Sequence, residues 1–163
     1  MDEIKRSFPP VADDRIRLLV LGSLPGEESL ARSQYYANPR NQFWRLIGAV
    51  IGLDLVPLPY EARLEALLGA RVGLWDTIGS ATRRGSLDGA IRGHRANALA
   101  DLAATLPELR AVGFNGGKSA ALGRPLLAGR PDLALVPLPS SSPAHTRPFE
   151  EKLAAWMQLR DYL

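Results

Sequence analysis

The sequence contains no cysteine and only two histidines, His94 and His145. The first absence excludes disulfides and thiolate metal sites, and the second leaves too few imidazoles for a histidine cage. The expected chemistry therefore runs without a metal or any other cofactor. No apolar run approaches the roughly 18–20 residues of a membrane-spanning helix. The opening residues, Met1-Asp2-Glu3-Ile4-Lys5-Arg6, carry no apolar signal core. A cytoplasmic protein with no membrane partner is expected. Neither sign of charge dominates: Lys and Arg exceed Asp and Glu by 20 to 17, a net charge of +3. That balance permits an anionic partner without requiring one. Internal repeats and low-complexity tracts are also missing, and nothing in the sequence calls for more than a monomer.

What is present is enough for one core. At 163 residues, 46% of them apolar and 23% charged, the chain fits a single domain over residues 15–163 behind a polar arm, residues 1–14, that carries Pro9-Pro10. Ile16-Arg17-Leu18-Leu19-Val20-Leu21-Gly22 reads as a strand buried on both faces. Val72-Gly73-Leu74-Trp75, Arg110-Ala111-Val112-Gly113-Phe114 and Leu133-Ala134-Leu135-Val136 read as three more strands. Between them, helical spacing begins near Asn41 and recurs over residues 60–68, 96–106, 120–127 and 148–162. Residues 80–93, polar and broken by glycine, with Arg83, Arg84 and Arg92, read as a long basic loop. Strands alternating with helices imply an α/β sandwich around a mostly parallel four-stranded sheet.

In such sheets ligands bind beyond the carboxyl ends of the strands. Four loops fall there: Gly22-Ser23-Leu24-Pro25-Gly26, Trp75-Asp76-Thr77, Phe114-Asn115-Gly116-Gly117-Lys118 and Pro139-Ser140-Ser141-Ser142-Pro143-Ala144-His145. The last has three consecutive hydroxyls held between prolines, suited to phosphate or to a plain turn. Gly-Ser-Leu-Pro-Gly is one residue off the Gly-x-Ser-x-Gly elbow of serine hydrolases, and residues 113–118 lack the spacing of a nucleotide P-loop. The loops supply amides, aromatics and backbone donors, a lining for a flat, neutral, hydrogen-bonding ligand such as a nucleobase on an anionic backbone.

Taken in order, Gly22-Ser23-Leu24-Pro25-Gly26, Tyr35-Tyr36-Ala37-Asn38-Pro39-Arg40-Asn41-Gln42-Phe43-Trp44, Gly73-Leu74-Trp75-Asp76, Gly85-Ser86-Leu87-Asp88, Phe114-Asn115-Gly116 and Leu138-Pro139-Ser140-Ser141-Ser142-Pro143-Ala144 resemble the uracil-DNA glycosylase superfamily. The nearest resemblance is to its hypoxanthine-DNA (deoxyinosine) glycosylase branch, with the mismatch-specific uracil/thymine-DNA glycosylases as cousins. The resemblance implies a three-layer α/β/α sandwich and a DNA partner that carries deaminated or mismatched bases. In the first motif the superfamily places Asp or Asn to direct water, whereas this chain has Leu24, a departure the deoxyinosine branch shares. The catalytic amide that branch implies is Asn41, with Asn38 second. Asn115 resembles the base-reading asparagine, with Gly22, Ser23, Leu24 and Tyr36 beside the base. Ser140, Ser141, Ser142 and Pro143 resemble the motif that pinches DNA phosphates and lines the wedge into the duplex. His145, Lys118 and Arg147 are expected to face phosphate or solvent. Tyr35, Phe43, Trp44 and Trp75 are core candidates, and Asp76 reads as a loop buttress.

The expected activity is that of a monofunctional DNA glycosylase in base excision repair: it flips hypoxanthine or uracil from DNA and hydrolyses the N-glycosidic bond with little help from side-chain acids. Asn41 is a good helix N-cap and Asn115 a good turn residue, so each also has a purely architectural use. A mismatch-specific uracil/thymine glycosylase, an inactive nucleic-acid binder of the same fold and an esterase that uses one of the serines are the alternatives.

Overall fold

The computed structural model describes residues 3–163; residues 1 and 2 of the expected arm lie outside the described residues. Its centre is a four-stranded sheet of β2 (Leu18–Gly22), β3 (Val72–Asp76), β6 (Ala111–Asn115) and β7 (Ala134–Leu138), in the order β3-β2-β6-β7. All three pairings are parallel. The two inner strands, β2 and β6, are buried along their whole length and read as apolar runs, while edge strand β7 leaves Pro137 exposed. In β2 all five residues are buried, and they alternate between two cores. Leu18 and Val20 pack with α2 (Phe43–Ile51) and α6 (Phe149–Met157), while Leu19 and Leu21 pack with Leu99 and Ala103 of α4 (Leu99–Ala104). Helices α3 (Tyr60–Gly69) and α5 (Gly117–Leu126) complete the layers, so the α/β/α sandwich expected from the sequence is the fold observed.

The long basic loop expected over residues 80–93 is largely structured. β4 (Ile78–Thr82) and β5 (Arg92–Ala96) form an antiparallel pair, and β1 (Ile4–Arg6) adds to the other side of β4. This second sheet, in the order β1-β4-β5, was hidden because all five residues of β5, Arg-Gly-His-Arg-Ala, are exposed and carry no apolar alternation. Part of the expected N-terminal arm is thus an edge strand. Val11 also bridges Leu74 of the main sheet through a pair of backbone hydrogen bonds of 2.8 and 2.9 Å.

Strand order reverses direction next to β2: the chain passes from β2 out to β3 on one side, then returns to β6 on the other. Crossovers on opposite sides leave a crevice above the carboxyl ends of β2 and β6. Gly22 ends one of these strands and Asn115 the other.

Candidate active site

Above that crevice lies a cavity of about 580 Å³, bordered by Gly22, Ser23, Leu24, Tyr36, Asn38, Asn41, Asn115, Ser140, Ser141, Ser142, Pro143 and His145 among others. Twelve of the fourteen residues singled out from the sequence therefore share one space. The other two do not line it: Lys118 sits in the first turn of α5, and exposed Arg147 is turned to Glu151, its Nε 3.2 Å from Oε2.

Gly22 lines the cavity at the end of β2. A Cβ there would stand 2.6 Å from Asp76 Oδ1 and 2.8 Å from the Tyr36 hydroxyl. Only hydrogen in place of a side chain lets those two groups approach the strand end together. Asp76 is opposite Gly22 in the parallel register and is 3% exposed. Among the described residues its Oδ2 has no hydrogen-bond partner, and neither does Oγ1 of adjacent Thr77. Burial, reinforced by the negative charge of Asp88 and opposed by Arg83, pushes the Asp76 carboxyl up to about 7. Burial likewise drives the Tyr36 phenol well above its ordinary value, with the Asp76 charge adding to it, so Tyr36 stays a protonated hydroxyl.

Tyr36 is held in an unusual way. Its backbone has φ 53°, the left-handed region that non-glycine residues adopt sparingly. Trp44 Nε1 donates to the Tyr36 carbonyl at 3.2 Å, and the Tyr36 ring lies over Phe43 with centroids 3.9 Å apart. Its hydroxyl accepts from Asn115 Nδ2 at 3.2 Å. Strain of this kind, of order 1–3 kcal/mol, persists where the surroundings fix the residue, and is a feature of ligand sites.

The Asn115 amide is engaged at both ends. Nδ2 also donates to Ser141 Oγ at 2.8 Å, and Oδ1 accepts the Ser141 N–H at 2.9 Å. Gly116, with φ 97°, takes the chain from β6 into α5 in a conformation that suits glycine, and a Cβ there would touch Ser140 at 3.2 Å. The serine-rich loop is braced further by Trp156 Nε1, which donates to the Pro139 carbonyl at 2.9 Å, and by the Gln42 N–H, which donates to the Ser141 carbonyl at 2.9 Å. Buried Lys152 donates to Gln42 Oε1 at 3.0 Å and to the Ser142 carbonyl at 3.2 Å, and burial lowers its pKa. Ser140 Oγ accepts the Ser142 N–H and Ser142 Oγ accepts the Ala144 N–H. Among the described residues no histidine or carboxylate bonds to any of the three hydroxyls, so the arrangement an esterase needs is not assembled.

Asn38 and Asn41 each spend their side-chain oxygen locally. Asn38 Oδ1 accepts the Arg40 N–H and Asn41 Oδ1 accepts the Phe43 N–H, both at 2.9 Å. The second bond secures the first turn of α2, the architectural use foreseen for Asn41. Their amide nitrogens remain the ends available to a ligand.

Sequence reasoning missed the acidic side of this cavity. Asp76 and Asp88 both line it, and Ser23 donates its hydroxyl to Asp88 Oδ1 at 2.6 Å. Asp76 was placed in a loop, yet it closes β3 in full burial; the signal that could have exposed it is its position directly after the apolar run Val72-Gly73-Leu74-Trp75. Arg83 falls in the segment expected to be a long basic loop. It is 3% exposed and braces the first motif, with Nη1 donating to the Leu24 carbonyl at 3.4 Å and Nη2 to that of Pro25.

Residues 9–160 match the family model described as the uracil DNA glycosylase superfamily. The chain belongs to that superfamily, and is by that membership a DNA glycosylase.

Within it, the similarity is to proteins named hypoxanthine DNA glycosylase. One, from Methanosarcina acetivorans, is 42% identical over 153 residues, spanning 94% of this chain and 96% of the relative. Another, from Methanosarcina barkeri, is 40% identical over 154 residues, with the same shares covered. A solution NMR structure of a candidate uracil DNA glycosylase from Methanosarcina acetivorans superposes with a TM-score of 0.87 at 40% identity, covering 97% of each chain.

Proposed function

We propose that the protein removes hypoxanthine from deoxyinosine in DNA, with uracil as a secondary substrate, and so begins base excision repair in the cytoplasm on nucleoid DNA. The observation that carries this reading is the convergence of Asn41, Tyr36 and Asn115 with Asp76 on one cavity of about 580 Å³, in a chain about 40% identical to hypoxanthine DNA glycosylases.

The extruded nucleotide enters the cavity, where the backbone at Gly22 and Ser23 and the neutral Tyr36 hydroxyl meet the base edge. Asn115 reads the base through the second lone pair of Oδ1, its nitrogen being held by Tyr36 and Ser141. Unpairing costs a few kcal/mol, least at a lesion or mismatch, which favours damaged DNA at the outset. As the bond between N9 of the purine and C1′ of the sugar lengthens, cationic character grows at the sugar and negative charge on the base. Asn41 Nδ2 holds a water by donating to it, with Asn38 beside it. The water's oxygen bonds to C1′, its proton passes to the Asp76 carboxylate, and the base leaves with the electron pair of the broken bond. A carboxyl pushed up to about 7 is a far better base than an ordinary aspartate, and it is available near neutral pH. Leu24 then needs no polar role: the water's acceptor has moved from the first motif to the end of β3. Ser140, Ser142 and His145 meet phosphates at the cavity edge, and Lys118 and Arg147 meet those farther along the duplex.

Duplexes containing deoxyinosine, deoxyuridine or mismatched thymidine, treated with alkali after incubation, provide the test. The expected result is strand breaks at deoxyinosine first and deoxyuridine second, lost in Asn41→Ala and retained in Ser140→Ala. Binding without breaks on any of the three duplexes would instead identify an inactive binder of the same fold.

A further inference from the structure

Two cationic side chains are buried among the described residues, Arg83 and Lys152, and they are compensated differently. Arg83 feels the negative charge of Asp88, Asp76 and Glu27, the last at the start of α1 (Glu27–Arg32). Lys152, 1% exposed, has no such neighbour, and burial alone lowers its pKa. On its own helix Glu150 and Glu151 are exposed, the second turned to Arg147. Of the elements packed against α6, α2 brings only exposed Arg45, engaged 4.0 Å above the Phe149 ring, and β7 brings no charge. Residues 158–162 bring Arg160 and Asp161, both exposed, as is His145 in the serine-rich loop. A lone buried ammonium costs stability that an apolar chain of similar length would not. The return on that cost lies in what the lysine holds.

It holds two borders of the cavity together. Nζ donates to Gln42 Oε1 at 3.0 Å and to the Ser142 carbonyl at 3.2 Å. Between these contacts the Gln42 N–H donates to the Ser141 carbonyl at 2.9 Å, so the three bonds close a ring. One side of the ring is the serine-rich loop, and the other is the chain that leaves Asn41. An ammonium has three donors and no acceptor, so it grips both oxygens at once and fixes which end of the Gln42 amide faces inward. Its removal strands no buried group. The Ser142 carbonyl keeps the His145 N–H at 3.1 Å, and half-buried Gln42 can turn to water. The lysine is therefore dispensable for burial, yet it sits one residue from the amide that holds the attacking water. A misplacement of about 1 Å at such a group costs roughly 100-fold in rate.

We propose that Lys152 is a positioning residue that locks the chain at Asn41 to the serine-rich loop, keeping the water held by Asn41 in register with the DNA held by the loop. The assignment rests on the glycosylase reading above. Lys152→Met, Gln42→Met and the double variant would be compared with the unaltered protein on a deoxyinosine duplex. Three quantities are read: the single-turnover rate with protein saturating, the Kd for the duplex and the melting temperature. Each single variant should lose roughly 10- to 100-fold in rate while its Kd stays within about threefold. Lys152→Met should melt no lower than its parent, because a lone buried charge has gone. The double variant should be slower than the slower single variant by no more than about twofold, since both changes open one ring. Unchanged rates in the single variants would overturn the proposal. Gln42→Met opens the ring from its half-buried side and decides the matter if Lys152→Met loses stability: full activity there would leave the lysine a support of the fold only. A loss confined to Kd would place Lys152 in DNA binding instead, and losses that multiply in the double variant would separate the two residues; either result overturns the proposal. Failure of the unaltered protein to release hypoxanthine would defeat the glycosylase reading itself, and the positioning role with it.

Discussion

On the serine-loop side of the cavity the polar groups satisfy one another: Asn115, Ser141, Gln42 and Lys152 form a continuous chain of hydrogen bonds from β6 to α6. On the β3 side, Asp76 and Thr77 are as deeply buried, yet an oxygen of each has no partner among the described residues. Satisfied networks rigidify a fold, whereas an unpaired buried carboxyl destabilises it. The serine-loop side is a frame, and the β3 side keeps a buried carboxyl with an unpaired oxygen, the group proposed above as the general base. One pocket thus joins a hydrogen-bonded half to a half whose buried polar groups are left incompletely paired.

Replacing Asp76 by Asn probes the difference most severely. In the unfolded chain this carboxyl titrates near 3.9, but in the fold it titrates near 7. The folded state therefore holds the proton more tightly, and stability falls as pH rises from about 4 to about 7, where the loss becomes complete. Asp76→Asn should be more stable than the unaltered protein at pH 8 by about 1–3 kcal/mol, a gain below the full ionisation term because the new amide is itself poorly paired. The gain should vanish near pH 4, as thermal melts across that range would report. Base release should fall by roughly 10²- to 10⁴-fold in the same variant. Unaltered protein should show a rate that climbs with pH to a plateau above about 7. A variant as active as its parent would remove Asp76 from the chemistry.

The frame should respond in the opposite sense. Asn115→Ala deletes three hydrogen bonds and strands the buried Ser141 N–H. Urea unfolding should register a loss of about 2–3 kcal/mol, together with reduced activity. If both variants lost stability alike, the distinction between the two sides would not stand. The smallest effect is expected from Arg147→Ala. Its exposed pair with Glu151 contributes less than about 0.5 kcal/mol, so the melting temperature should hold. The salt dependence of DNA binding should flatten by about one unit of slope if Arg147 meets a phosphate.

The central sheet was legible because its inner strands are buried on both faces, which leaves nearly unbroken apolar runs such as Leu18-Leu19-Val20-Leu21. The edge hairpin was not, because β5 faces water along its whole length and its pairing depends on a partner rather than on its own pattern. Within the site, the amides and serines could be found as motif residues lying after strands. Asp76 and Arg83 could not be weighed in the same way, since what makes each unusual is desolvation by groups distant in sequence. Arg83 shares a run with exposed Arg84, yet only the fold reveals that it turns inward to the carbonyls of Leu24 and Pro25.

The pairing of Ile4–Arg6 with β4 bears on how the chain is made. Ile4 sits opposite Thr82, and Arg6 opposite Ser80. During synthesis the segment that completes the small sheet must wait, unpaired, until more than half of the polypeptide has left the ribosome. In nascent chains arrested before Thr82 has emerged, Ile4–Arg6 should accordingly stay open to protease, and it should become protected once β4 is free to pair with it.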